Sequence, residues 1–206
     1  MDSIAGFILT GGQSRRMGTD KSRLMLGGRS FLEHIAGELS LVTSCVTVVG
    51  NDTAARQLQI PAVQDVYPRW GALGGVHAAL AACAAMWALI IACDFPFVTG
   101  ELFARLASFR EGAEAVAPIQ SDGIPQPLCA IYCVEPCRGR ADDLIKSGER
   151  KPVALLQSVQ TRWVSFAELS GLQGADHFFD NVNTPEDYAR ASRKGLGTND
   201  VAISVE

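Results

Sequence analysis

The chain has 206 residues, 48% of them hydrophobic and 19% charged, with a formal net charge of −4 at pH 7. That apolar content supplies a sizeable core and excludes a globally disordered chain, while the mild negative charge argues against a protein that coats nucleic acid. The length suits a single domain. Asp2 stands where a secretory signal would place positive charge and the apolar run after it is short, so a cytoplasmic protein is expected.

Ile4–Leu9 reads as a buried strand that empties into Thr10-Gly11-Gly12-Gln13-Ser14-Arg15-Arg16-Met17-Gly18-Thr19-Asp20-Lys21. Glycines let backbone N–H groups turn toward an anion. Arginine and lysine add positive charge where phosphate oxygens would sit. A bland turn from strand to helix needs neither the paired arginines nor Lys21, so the chemistry favours a triphosphate-gripping loop over a solvated basic turn. The loop lacks the Gly-Lys-Ser/Thr triplet of a Walker A motif and the Gly-x-Gly-x-x-Gly spacing of a Rossmann fingerprint.

Ser30–Leu41 reads as a helix with Ser30 as N-cap and Glu33 at capping-box spacing, and Phe31, Leu32, Ile35 and Leu39 form its apolar face. Cys45–Val49 reads as a strand ending at the turn Gly50-Asn51-Asp52, followed by a helix from Thr53 and a short strand at Ala62–Val63 that ends near Asp65. Tyr67–Gly75 reads as a glycine-rich loop opening onto a helix over Val76–Ala85, and Trp87–Cys93 as a strand buried on both faces. The apolar region from Val76 to Cys93 contains His77 and many alanines and ends at Asp94 and Pro96, so it divides into helix and strand and is not a membrane span. Further on, the expected elements are a helix capped by Thr99, a strand at Ala115–Ile119, a turn at Ser121-Asp122-Gly123 and a strand at Leu128–Val134. Helices at Glu135–Lys146 and Val153–Val159, a strand at Thr161–Val164 and a final helix at Pro185–Arg193 behind Thr184 complete the chain, with 1–194 as the domain and 195–206 as a loose tail. This alternation predicts one three-layer α/β domain, a mostly parallel twisted sheet with helices on both faces. Such sheets bind ligands at the carboxyl ends of their strands, near a topological switch point.

Asp94 follows directly on an apolar strand at that rim, where a hard cation could be held; magnesium takes one or two protein carboxylates and completes its shell with phosphates. Its alternative role is a turn cap beside Pro96. In Asp180-Asn181-Val182-Asn183-Thr184-Pro185-Glu186-Asp187, helix capping accounts for Thr184, Pro185, Glu186 and Asp187 but leaves Asp180, Asn181 and Asn183 to face a pocket. Six cysteines are expected as reduced thiols, and Cys129, Cys133 and Cys137, although evenly spaced, read as core residues and not as metal ligands. His34, His77 and His177 fall in no catalytic pattern.

These residues carry a resemblance. Leu9-Thr10-Gly11-Gly12 with Ser14-Arg15-Arg16-Met17-Gly18-x-Asp20-Lys21, then Gly71-Ala72-Leu73-Gly74-Gly75, Cys93-Asp94-Phe95-Pro96-Phe97, Pro127-Leu128-x-Ala130-Ile131-Tyr132 and Asn181-Val182-Asn183-Thr184-Pro185-Glu186-Asp187 resemble the molybdenum cofactor guanylyltransferases, across about residues 4 to 192. Those enzymes belong to the nucleotidyltransferase superfamily, with a Rossmann-like, glycosyltransferase-A-like fold. The resemblance implies transfer of GMP from GTP to the terminal phosphate of molybdopterin or its molybdenum-loaded form, with Mg²⁺ as cofactor. It implies other cofactor-biosynthesis proteins and recipient molybdoenzymes as partners, with no nucleic acid and no membrane. By the same resemblance Leu9, Thr10, Gly11 and Gly12 hold the guanine and ribose side of GTP, Arg15, Arg16 and Lys21 take the triphosphate, and Asp65, Gly74 and Asn51 (or Gly50) contact the nucleotide. Asp94 holds Mg²⁺, Arg16, Lys21 and Asp94 are the catalytic set, and Arg150, Lys151, Asn181 and Asn183 lie toward the pterin substrate. Thr10 departs from the alanine usual in the guanylyl branch, and Arg69-Trp70 from the usual Gly-Pro pairing before Gly71. A cytidylyl relative of the same fold and a non-catalytic GTP-binding regulator are the competing expectations.

Overall fold

The computed structural model describes residues 3–10, 21–50 and 53–197. The strand Ile4–Leu9 (β1) is followed, beyond the glycine-rich loop, by a single 3₁₀ turn at Lys21–Arg23 and a small hairpin of Met25–Leu26 (β2) and Arg29–Ser30 (β3). Then come Phe31–Ser40 (α1), Val46–Val49 (β4), Thr53–Gln57 (α2), Ala62–Val63 (β5), Ala72–Ala82 (α3) and Trp87–Ala92 (β6). Gly100–Ser108 (α4), Ala115–Pro118 (β7), Cys129–Cys133 (β8), Val134–Lys146 (α5), Val153–Ser158 (α6), Thr161–Val164 (β9), Phe166–Leu169 (α7) and Pro185–Gly197 (α8) complete it.

The main sheet has seven strands in the order β5-β4-β1-β6-β8-β7-β9. All neighbours are parallel except β8, which runs against both β6 and β7. The chain builds outward from β1 through β4 to β5, then crosses back through α3 to place β6 on the other side of β1. The switch point therefore lies between the carboxyl ends of β1 and β6, where ligands of such sheets bind. Leu9 stands opposite Ala92 in the register, and the Cys93 N–H donates to the Leu9 carbonyl at 3.1 Å.

Period-two alternation divides the central strands between two cores. Ile4 and Ile8 of β1 and Leu89 and Ile91 of β6 join the core shared with α1 and α4, whereas Ala5, Phe7, Leu9, Ala88 and Ile90 join the one shared with α3, α5 and α6. Burial on both faces is the reason these strands read as unbroken apolar runs. The same geometry separates the cysteines: Cys129 lies in the first core, Cys137 in the second, and Cys133 at the end of β8 packs against the first. Burial pushes the Cys129 thiol far up and that of Cys137 up to about 12, as suits packed thiols.

Several elements differ from the sequence expectation. The helix α3 begins at Ala72 and not at Val76, so Gly74 and Gly75 lie inside its first turns. Glycine is a poor helix former, but here packing overrides propensity. A Cβ on Gly74 would sit 2.9 Å from the Trp70 Cβ and 3.3 Å from the Tyr67 carbonyl oxygen, and one on Gly75 would touch Leu9 at 3.4 Å. The β2–β3 hairpin and α7 have no counterpart in the expectation; each is too short for periodicity to register. The final helix, expected to stop at Arg193, runs to Gly197. No helix among the described residues is long and apolar enough to cross a membrane.

At the start of α1 the expected capping box is present. Ser30 Oγ accepts from the Glu33 N–H at 3.2 Å, and Glu33 Oε2 accepts from the Ser30 N–H and hydroxyl, both at 2.7 Å. The Ser30 backbone bond, then its hydroxyl, hold the Glu33 carboxyl below its ordinary range. Ser30→Ala is expected to lower stability by about 0.5–2 kcal/mol in urea titration at neutral pH. Because the Glu33 value is lowered on folding, its share is present above roughly pH 4 and is lost as pH falls through the depressed folded value. The wild-type advantage should accordingly shrink in acid.

Candidate active site

At the end of β1, the Thr10 N–H donates to the Val49 carbonyl at 3.1 Å and its hydroxyl reaches the same oxygen at 3.3 Å. The hydroxyl that distinguishes this residue from alanine is thus turned onto β4. Gly11, Gly12, Arg15, Arg16 and Asn51, all expected at the nucleotide, lie outside the described residues.

Lys21, where the chain returns, is largely buried, with 15% of its side chain exposed. Its ammonium donates to Asn183 Oδ1 at 2.5 Å and stands 3.8 Å from Asp94 Oδ2. Two segments far apart in sequence therefore meet the end of β6 at one point. Asp94 Oδ1 is buried and has no hydrogen-bond partner among the described residues. Burial pushes the Asp94 carboxyl up, and Lys21 opposes this only in part. A carboxylate with one oxygen near an ammonium and the other unpartnered suits a hard cation that brings its own phosphate ligands. Among the described residues no group of three or more histidine, cysteine and acidic side chains could hold a metal.

Asn183 is held from both sides. The Val182 N–H donates to the Asp94 carbonyl at 3.0 Å, fastening this segment to the end of β6. Asp187 Oδ2 accepts from the Asn183 and Thr184 N–H groups at 3.0 and 2.9 Å, while the Asp187 N–H donates to Thr184 Oγ1 at 3.1 Å. These bonds, the Asn183 N–H first among them, hold the Asp187 carboxyl below its ordinary range. The sequence pattern points Asp187 to helix capping alone; its second task, fixing the Asn183 backbone, has no local signature. Asn181 is exposed and lines a cavity of about 270 Å³ with Phe97, Phe179, Asp180 and Arg190.

On the opposite side of the rim, Asp65 follows β5 and burial pushes its carboxyl up. Gly74 lies against the Tyr67–Trp70 turn. Arg150 joins this group: its guanidinium lies 4.5 Å over the Trp70 ring and donates to the Arg69 carbonyl at 3.3 Å. Lys151 beside it is exposed. The structure thus brings Lys21, Asp94 and Asn183 into direct contact and places Arg150 with the loop that joins Asp65 to Gly74. Trp70, Tyr67 and Asp142, which fasten that loop, carry no sequence signal that marks them as site residues. Of the histidines, His34 pairs with the Leu26 carbonyl at 2.7 Å, His77 is buried edge-on to Tyr67, and His177 stands by Asp180.

The strand order switches direction between β1 and β6, and Lys21 faces Asp94 at that point. A family model described as "MobA-like NTP transferase domain" matches residues 6–163. Among similar sequences are a probable molybdenum cofactor guanylyltransferase of Pelotomaculum thermopropionicum, 33% identical with 93% of each chain covered, and a molybdenum cofactor guanylyltransferase of Cereibacter sphaeroides, 38% identical over 91% of this chain and 95% of that one. The crystal structure of molybdopterin-guanine dinucleotide biosynthesis protein A from Archaeoglobus fulgidus is similar at a TM-score of 0.79 and 26% identity, covering 94% of this chain and 99% of that one. The fold is that of a nucleotidyltransferase. The chain belongs to the MobA-like NTP transferase family.

The Asp94 carboxylate carries a desolvation cost that Lys21 does not cancel. Asp94→Asn is expected to leave the ligand-free thermal midpoint unchanged or to raise it, by about 2–4 °C for each kcal/mol recovered. The carboxyl's folded value is raised, so its penalty is present at neutral pH and disappears as pH falls below ordinary carboxylate values, about 3.9. The gap between variant and wild type should close in acid, as followed by calorimetry across that range.

Proposed function

We propose that this protein transfers GMP from GTP to the terminal phosphate of molybdopterin or Mo-molybdopterin, releasing pyrophosphate and forming the guanine dinucleotide of the molybdenum cofactor. The observation that carries this reading is the contact of Lys21 with Asp94 and Asn183 at the switch point, in a chain whose relatives bear the guanylyltransferase name.

GTP lies along the carboxyl end of β1, with Leu9, Thr10, Gly11 and Gly12 at its base and ribose and Arg15, Arg16 and Lys21 along its triphosphate. Asp65, Asn51 and Gly74 complete the nucleotide side. Asp94 holds Mg²⁺, which when bound neutralises charge on the transferring phosphate. An oxygen of the acceptor's terminal phosphate forms a bond to the α-phosphorus, the bond from that phosphorus to the bridging oxygen breaks, and pyrophosphate leaves with the electron pair. The attacking oxygen is already anionic, so no strong general base is required, which accords with histidines engaged elsewhere. Lys21, held by Asn183, places a fixed positive charge where negative charge accumulates, and such pre-set charge is worth more at a partly desolvated rim than in water. On the acceptor side Asn181 opens onto the 270 Å³ cavity, and Lys151 lies toward the acceptor phosphate, whereas Arg150, stacked on Trp70, belongs to the nucleotide side. Action in the cytoplasm, where GTP is available, is part of the same reading.

Thermal shift with GTP, CTP, UTP and ATP in the presence of Mg²⁺, followed by pyrophosphate release with molybdopterin, tests this directly. GTP alone should stabilise strongly and support turnover. Lys21→Ala should lose at least about 100-fold in kcat while remaining folded by circular dichroism. A preference for CTP would replace guanylyl by cytidylyl transfer, and GTP binding without pyrophosphate release would make the protein a regulator.

A further inference from the structure

The loop from Asp65 to Gly74 joins two residues of the proposed nucleotide site, and its shape is unusual. Arg69 adopts a φ of 64° and Gly71 one of 77°. A positive φ is ordinary for glycine but sparsely populated for arginine, and such a residue persists only where its surroundings over-determine it. Here they do. The Arg69 carbonyl accepts from Arg150 Nη1 at 3.3 Å, and the Trp70 indole N–H donates to the Glu149 carbonyl at 2.7 Å. The Arg150 guanidinium covers the Trp70 ring at 4.5 Å. Glu149 in turn fixes the turn that presents Arg150, its Oε1 accepting from the Arg150 and Lys151 N–H groups at 2.7 and 2.8 Å. A second fastening lies one step back, where the Tyr67 hydroxyl donates to Asp142 on α5. The Trp70 Cβ lies directly on Gly74, so the position of the indole is transmitted to the first turn of α3.

We propose that Trp70 and Arg150 form a latch that positions the Asp65–Gly74 loop for nucleotide binding, making Arg150 a positioning residue of the nucleotide side. The inference rests on the nucleotidyl-transfer reading for what the loop contacts. A planar guanidinium can stack on the indole and donate to the Arg69 carbonyl at once; a lysine ammonium, a compact point charge, cannot reproduce both.

Binding of GTP with Mg²⁺ is measured by calorimetry for wild type, Trp70→Ala, Arg150→Ala and the double variant, with Arg150→Lys and Trp70→Phe as conservative substitutions. Each single alanine variant should weaken GTP binding by roughly five- to tenfold, and the double variant should be no worse than either, since both remove one shared contact. Arg150→Lys should behave like Arg150→Ala, and KM for the molybdopterin acceptor should stay within about twofold, the ordinary scatter for a substitution that removes no contact to that ligand. Should the alanine variants not fold, Arg150→Lys and Trp70→Phe still decide the matter, because each removes one hydrogen bond of the latch and should weaken GTP binding. The latch is overturned if GTP affinity is unchanged in Trp70→Ala and Arg150→Ala, or in the conservative pair. It is equally overturned if their effects add, or if Arg150→Ala raises the acceptor KM and Arg150→Lys restores it. Wild type binding CTP in place of GTP would defeat the guanylyl assignment only, and the same cycle would then be read with CTP.

Discussion

A carboxylate at the end of a fully apolar strand is expensive to keep charged, and Asp94 sits in that position with a single described cation, Lys21, at 3.8 Å. Ordinary stability would favour neutralising it, and its raised pKa records that tendency. The remaining architecture of the rim holds the charge in place. Lys21 is brought to β6 by the chain that leaves β1, and its ammonium is oriented by Asn183. Asn183 comes from a segment hydrogen-bonded to the Asp94 backbone and anchored by Asp187 at the start of α8. The family match ends at residue 163, yet the residue that orients Lys21 lies beyond it. The start of the final helix therefore fixes the residue that meets Lys21.

The two sides of the rim are built on different physical terms. On the Asp94 side, charge and hydrogen bonding dominate: a lysine, a carboxylate and an amide in contact, all partly shielded from water, where electrostatic interactions are stronger than in bulk. On the Asp65 side, the organising terms are aromatic packing and backbone shape. Tyr67, Trp70 and Arg150 hold a turn with a positive φ at a non-glycine residue against the glycine face of α3. In the proposed reading a nucleotide across β1 meets both, so an electrostatic centre and a sterically set wall act on one ligand.

Much of the fold is legible in local residue patterns. The β1 and β6 strands, the Ser30 capping box, the Thr99 cap and the helix behind Thr184 all follow from such patterns, and each is found. Lys21 and Asp94 are legible as a candidate pair because each falls beyond an apolar strand at the same rim, and the structure sets them 3.8 Å apart. The start of α3 is misplaced by sequence because local propensity counts Gly74 and Gly75 against a helix, whereas the deciding factor is the approach of Trp70 and Leu9. Trp70 itself stands out only as a departure from a family pattern; nothing local says that an indole will meet a turn near residue 149. The placement of Arg150 is similarly hidden, since a cation on an exposed turn can be read as a phosphate ligand until its ring partner is known.

Alternation of apolar strands with capped helices is short-range information, written in periods of two and 3.6 residues, and by itself it determined an α/β sheet with its charged loops at one rim. It also determined which residue types could do chemistry there. Tertiary structure decided which of them meet: that Lys21 touches Asn183 as well as Asp94, that the Thr10 hydroxyl turns onto Val49, and that Arg150 stacks on Trp70. Such contacts join segments separated by anything from 39 to 162 positions along the chain. Their geometry depends on strand order and on how the connections pack, neither of which any local run of residues encodes.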